Sequence, residues 1–214
     1  MDIRVQPRRV LDLWPRGMPS LVMKVSTTFY RRMILMVRPL DDTIPYLWPR
    51  LPVVFKILTE EDLPAYHRFR PDRRTSLIQN SLARGEQCFV AWYQGRIVHA
   101  GTMATGGVYV SYLRRHLILR PGEVYSHDSF TLPAYRGYGL APARHAHVMR
   151  SFRQEGYRRI ACLVAVENKA GFRVVEKLGY QAMGLYSCLR VGPWQREWQQ
   201  RWYEEHLPML ARTE

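Results

Sequence analysis

Residues 136–150, RGYGLAPARHAHVMR, set two glycines behind an arginine and then run into a stretch with helical spacing. The preceding GEVYSHDSFTL (122–132), rich in β-branched and aromatic residues, reads as a long strand ending at Pro133. Beyond the glycines, Ala141, His145, Val148 and Phe152 recur at intervals of 4, 3 and 4, which predicts a helix to about Gln154 with Gly156 as its cap. Pro142 sits within the first helical turn, where its missing N–H costs nothing. A strand, a glycine bend and a helix start leave several amide hydrogens converging on one spot. Glycine lets the backbone approach a ligand without a Cβ, and the first-turn amides carry partial positive charge, so that spot suits an anion. Arg136 adds a full charge. Turns of this kind also occur with no ligand. Neither GxGxxG nor GxxxxGK[ST] can be written over these residues, so the dinucleotide fingerprint and the Walker loop are excluded.

Working outward, RRIACLVAV is an apolar strand, NKAGFRVVEKLG a helix capped by Asn168 and stopped by Gly179, and YQAMGLYSCLRV a strand or a tight hairpin about Gly184. The last segment, PWQREWQQRWYEEHLPML, is expected to be a helix. Upstream, VVFKIL (53–58) is strand-like, and Thr59 followed by Asp62 opens a helix. A second helix follows in TSLIQNSLARGE and stops at Gly85. QCFVAWY, the turn QGR and IVHAGTM read as a hairpin. Residues 104–120 are left as a connection with a strand or helix of its own. The first 50 residues are basic and punctuated by proline, with one apolar burst, Met33–Val37, read as a buried strand. The predicted organisation is an N-terminal extension (1–50), one domain (51–192) and a C-terminal helix (193–214).

The 214 residues are 47% hydrophobic, enough for one well-buried domain with appendages. A net charge of +14, spread along the chain, favours anionic partners, whether nucleic acid, a membrane surface or a phosphorylated small molecule. Cys88, Cys162 and Cys188 lack metal-ligand spacing, so neither a disulfide framework nor a metal site is indicated, and a reducing cytoplasm fits. The N-terminal residues contain no apolar leader region, and the burst at 33–37 is too short to span a bilayer.

The long strand, Arg136-x-x-Gly139-x-Ala141, helix, apolar strand, Asn168 and EKLGY (176–180) together resemble the GNAT acyltransferase superfamily over roughly residues 53–191. The resemblance implies an α+β fold with a mixed, mostly antiparallel central sheet flanked by helices, and an acetyl-CoA-dependent N-acetyltransferase. On it, Arg136, Gly137, Tyr138, Gly139, Leu140 and Ala141 inherit the cradle for the acetyl-CoA pyrophosphate. Pantetheine would lie between the strand ending at Thr131 and Leu132 and the strand through Leu163, with a main-chain amide near Leu132 polarising the thioester carbonyl. Arg144 would reach the adenosine 3′-phosphate, or simply be solvated. Asn168 matches a family asparagine on the cofactor arm, though a helix cap needs no ligand.

An amine with a pKa of about 10.4 arrives protonated and needs a base. Glu123 lies 13 residues before Arg136, where some family members carry a glutamate base, while His127 and Asp128, 9 and 8 residues before it, stand where others place acids. The preferred order is Glu123, Asp128, His127. Against these roles, Glu123 reads equally as a solvated strand start and His127 as a satisfied core histidine, and a family bulge in this strand would swap the side-chain parity. The family tyrosine that protonates the departing thiolate is replaced by Val175, leaving Tyr180, Tyr186 or water as substitutes. A non-catalytic acyl-CoA-binding protein is therefore the alternative. His145 and His147, two apart on a helix, cannot share a metal. Trp194, Trp198 and Trp202 recur every four residues and are expected to pack on the domain or on a partner subunit, a homodimer among the outcomes, with an interfacial membrane helix or a nucleic-acid stacking face as the alternative. The expected acceptor is a small-molecule amine, with no specific nucleic acid and no membrane span.

Overall fold

The computed structural model of the chain describes residues 30–41, 43–110, 113, 115–191, 193–201 and 209–210. In chain order its elements are β1 (Tyr30–Pro39), β2 (Val54–Ile57), α1 (Leu63–Phe69), α2 (Thr75–Ala83), β3 (Gln87–Tyr93) and β4 (Arg96–Ala104). There follow β5 (Val108–Val110), β6 (Arg115–Ile118), β7 (Glu123–Thr131), α3 (Leu140–Gln154) and β8 (Arg159–Ala165). The chain continues through α4 (Lys169–Lys177), β9 (Gln181–Val191), β10 (Trp194–Arg201) and β11 (Met209–Leu210). The expected class holds: mixed α+β, mostly antiparallel strands with flanking helices.

The chain divides into two compact units. The first contains β1, β5, β6, β8 from Ala161 onward, α4 and the three C-terminal strands. Its main strand order is β10-β9-β1-β8. The apolar burst is indeed a strand, and it occupies an interior position there. Ile34, Leu35 and Met36 are wholly buried, with Ile34 opposite Leu185 and Leu35 opposite Gly184 in antiparallel β9. Gly184 therefore lies within one continuous strand rather than at a hairpin. The described part of the expected N-terminal extension supplies an interior strand, while residues 1–29 lie outside the described residues.

The C-terminal helix is corrected. Residues 194–201 form β10, antiparallel to β9, with Trp194 opposite Val191 and Trp198 opposite Ser187. Gln195 donates to the Leu113 carbonyl at 3.3 Å and Gln199 to the Tyr186 hydroxyl at 2.9 Å, while Trp194 and Trp198 stay exposed, Trp198 edge-on to Tyr30. Trp202 lies outside the described residues. The connection at 104–120 carries strands β5 and β6, an antiparallel pair extended by β11.

The second unit orders its strands β7-β4-β3-β2. The β3–β4 hairpin closes through Gln94 (φ +47°) and Gly95 (φ +73°), the two positive φ values that a two-residue turn needs to match the strand twist. One core cluster gathers Leu58, Tyr66, Phe69, Ile78, Val90 and Ile97 beneath α1 and α2. In the short 3-10 turn Glu60–Asp62 that leads into α1, the Asp62 carboxylate accepts from Thr59 N and Oγ1, both at 3.2 Å, as the Thr/Asp spacing predicts.

Glu123, at the start of β7, is not solvated: it is 2% exposed. Its Oε2 accepts from Arg120 N at 2.8 Å, and Arg159 Nε lies 3.0 Å from Oε1. A buried carboxylate is tolerated only when paired and hydrogen-bonded, and this one ties the turn before β7 to the first residue of β8. Glu123→Gln removes that charge and leaves Arg159 facing a neutral amide. The expected loss is about 1–3 kcal/mol of stability, read as a lower denaturant midpoint at unchanged slope.

Candidate functional site

Along β4 and β7, His99 stands opposite Thr131 and Ala100 opposite Phe130, but Thr102 stands opposite His127, so Gly101 faces both Asp128 and Ser129. One extra residue on β7 makes a β-bulge, taken up by Asp128 at φ +49°. Aspartate tolerates this left-handed conformation better than most residues. The bulge swaps side-chain parity within β7, so His127 and Asp128 do not simply alternate faces as they would on a regular strand.

Both candidate groups at the bulge are engaged. The Asp128 carboxylate lies 3.6 Å from Arg70 Nη1 and 2.5 Å from Arg73 Nη1. Arg70 also stacks over the Phe130 ring at 4.1 Å, so the segment after α1 is clamped onto the bulge from two sides. His127 Nε2 lies 3.0 Å from Glu86 Oε2, and the imidazole stacks on Tyr125 at 5.8 Å. Glu86 also accepts from Arg84 Nε at 2.9 Å. Burial pushes the Glu86 carboxyl up, but hydrogen bonds from His127, Arg84 and Ser81 outweigh it and hold the group down at about 2. Glu86, Arg70 and Arg73 carry no signal in the sequence that would have singled them out.

Behind the bulge lies a buried cation. Arg144, expected as a phosphate ligand, is wholly buried instead, with Nε 3.0 Å from His99 Nε2 and Nη1 3.4 Å from the Gly101 carbonyl. Its guanidinium is therefore out of reach of a solvated phosphate. A Cβ on Gly101 would meet the guanidinium carbon at 2.7 Å, so any larger residue there would displace the Arg144 head where it crosses β4. Because Arg144 donates to Nε2, His99 carries its hydrogen on Nδ1 and donates to Thr131 Oγ1 at 2.8 Å. Burial, then the Arg144 charge and His145, hold His99 well below the usual histidine range; burial and Arg144 do the same to His145. Both are neutral beside the cation.

Past β7 the expected bend is present. The amide of Leu132 donates to Val98 O at 3.1 Å, so this amide serves β4 and not a thioester. Arg136 Nε donates to Thr131 O at 3.3 Å, and Gly137 and Gly139 take φ +85° and +76°. Gly139 is the residue before α3, whose first intrahelical bond runs from Ala143 N to Gly139 O at 3.2 Å. Leu140 and Ala141 lie in the first turn, where helix geometry gives amides no intrahelical acceptor. Gly137, Tyr138 and Arg136 are exposed, and a Cβ on Gly137 would meet nothing within 4 Å, so the space before the loop is open. The loop is braced from below where Arg50 N donates to Tyr138 O at 2.8 Å.

The remaining candidates belong to the other unit or to helix packing. Asn168 caps α4, its Oδ1 accepting from Gly171 N at 2.9 Å. Val175, Tyr180 and Tyr186 are all buried. His147 stacks on Phe55 at 5.6 Å and His145 is buried, so each has a packing role.

The buried histidines set a pH limit on stability. Unfolded, each titrates near about 6.5; folded, each stays neutral well below that. As pH falls below about 6.5 the unfolded chain takes up protons first, so stability is fully present above that value and declines beneath it. Urea midpoints between pH 8 and pH 5 should be flat at the alkaline end and fall at the acid end, and His99→Gln should flatten the fall. A constant midpoint across this range contradicts the neutral assignment.

Against known proteins, residues 51–180 match the family described as Acetyltransferase (GNAT) family. No curated protein matches the chain. Among solved structures, a putative GNAT-family acetyltransferase from Novosphingobium aromaticivorans aligns at TM-score 0.53 and 18% identity, covering 74% of this chain and 62% of that one. A GCN5-related N-acetyltransferase from Sphaerobacter thermophilus aligns at TM-score 0.53 and 16% identity, over 87% and 58% of the two chains. A glucosamine N-acetyltransferase region of a fungal multi-domain β-N-acetylglucosaminidase gives 0.54 and 17%, over 78% and 22%. The chain thus spans less than two thirds of the length of each of these three, and at such identities the likeness is one of fold. With the family matched over more than half its residues, the chain belongs to the acetyltransferase (GNAT) family.

Proposed function

We propose that this protein is an acetyl-CoA-dependent N-acetyltransferase that passes an acetyl group to a primary amine of a small molecule by direct attack in a ternary complex in the cytoplasm. The observation that carries this reading is the bend at Gly137 and Gly139, open to solvent at Gly137, with two positive φ values and the first turn of α3 behind it. Amides of residues 137–141 and the Arg136 guanidinium fit a diphosphate by charge and by the absence of a Cβ in the way. The bulge beside it leaves a β7 residue out of the ladder, which supports main-chain polarisation of a carbonyl there in place of the Leu132 amide. Family membership supports the acyl transfer, and the thioester supplies the acetyl group.

A second reading, a non-catalytic acyl-CoA binder, draws on Val175, a buried aliphatic at the place of the family acid. A thiol of pKa about 8.5 is a tolerable leaving group near neutral pH, so transfer without that acid remains the stronger reading.

The test is thiol release from acetyl-CoA across an amine panel, with thermal unfolding alongside. Acetyl-CoA should raise the melting temperature, and at least one amine should release thiol. Gly139→Val forces a branched side chain to φ +76°, at a cost of about 1–2 kcal/mol, and should raise the KM for acetyl-CoA by about tenfold. Thermal protection without release from any amine selects the binder; neither protection nor release rejects both readings.

A further inference from the structure

Three titratable groups stand on β7 ahead of the loop, and their surroundings separate them. Glu123 is buried and committed to Arg120 and Arg159. Asp128 is shared by Arg70 and Arg73, so protonating it would break two ion pairs. His127 differs: its side chain keeps 24% exposure, while its partner Glu86 keeps 4%.

The Glu86–His127 contact fixes the imidazole chemically. Glu86, held down at about 2, is ionised and can only accept. The hydrogen between them therefore sits on Nε2, and in the neutral imidazole the lone pair is on Nδ1. Among the described residues Nδ1 has no hydrogen-bond partner. The ring plane is set by stacking on Tyr125 at an interplanar angle of 19°, and the residue immediately precedes the bulge. The imidazole pairs with Glu86, which has Arg84 behind it, and the next residue along the strand, Asp128, is held by Arg70 and Arg73.

We infer that His127 is the general base of the transfer and that Glu86 is the positioning residue that holds its tautomer and orientation; the inference rests on the acetyltransferase reading. Nδ1 takes one proton from the acceptor ammonium, and the freed nitrogen pair bonds to the thioester carbonyl carbon. The carbon–sulfur bond then breaks, and sulfur leaves with its electron pair. The second proton of the attacking nitrogen goes through solvent to the sulfur, and His127 returns its proton to water. Ammonium and thioester thus become amide, thiol and one free proton.

The experiment compares kcat and KM of wild type, His127→Gln, Glu86→Gln and Glu86→Asp, with acetyl-CoA and the best amine of the panel. His127→Gln should lower kcat by about 10²–10⁴ at neutral pH with the KM for acetyl-CoA within about twofold, as expected when proton transfer alone is lost. Its deficit should shrink as pH rises toward the ionisation of the amine at about 10.4, where the nucleophile no longer needs a base. Glu86→Gln should lower kcat by about tenfold at unchanged KM, with partial recovery in Glu86→Asp. If Glu86→Gln does not fold, His127→Gln still decides. A His127→Gln enzyme within about threefold of wild-type kcat, or one whose deficit is unchanged at high pH, overturns the assignment and leaves the acetyltransferase reading standing. A wild type inactive with every amine overturns both.

Discussion

A single extra residue in one strand organises this site. Where Gly101 meets Asp128 and Ser129, the ladder between β4 and β7 loses its regular pairing, and the strand is re-aimed just before it feeds the glycine bend. Such a departure persists only if neighbouring structure over-determines it. Here Arg70 and Arg73 hold the Asp128 carboxylate on one side, and Arg144 holds the Gly101 carbonyl on the other. The geometry of His127, Phe130, Thr131 and the bend beyond follows from this fault being locked in place.

The Arg144 brace is expensive, because a guanidinium taken out of water loses strong hydration. The surroundings offset that cost with oriented acceptors rather than by exposing the charge: a backbone carbonyl and the Nε2 lone pair of His99. The arrangement works only with a neutral His99, since an imidazolium would present a hydrogen to the cation. From His99 the chain of contacts runs to Thr131 Oγ1, and from the Thr131 carbonyl to Arg136. The interior charge is thus joined by hydrogen bonds to the rim of the glycine bend.

Much of this was legible in the residues. The strand, bend and helix of 122–154 were fixed by β-branched clustering, glycines that only a positive φ explains, and a 4, 3, 4 apolar spacing. In the C-terminal segment a spacing of four satisfies both periods: Trp194 and Trp198 share a face in a helix and equally in a strand. Pairing with β9 decided it, a tertiary fact that local spacing does not contain. Arg144 departs from the local expectation for a related reason: an arginine one turn into a helix is ordinarily solvated, and the missing side chain of Gly101, 43 residues earlier, leaves room for this one to be buried. Glu86 was invisible because its partner, His127, lies 41 residues away.

The ion pairs also decide what an acceptor amine would meet. Glu86, Glu123 and Asp128 are each matched by a cation, namely Arg84, Arg159, and Arg70 with Arg73. A carboxylate so matched offers little to an incoming ammonium, because its field is already neutralised at contact distance. An unpaired carboxylate would grip the ammonium and raise its pKa, binding the unreactive form more tightly. With these acids matched, the surroundings of β7 give the charged form no such advantage. For the proposed amine transfer this is the useful direction, since binding energy that favours the protonated ground state slows the chemical step.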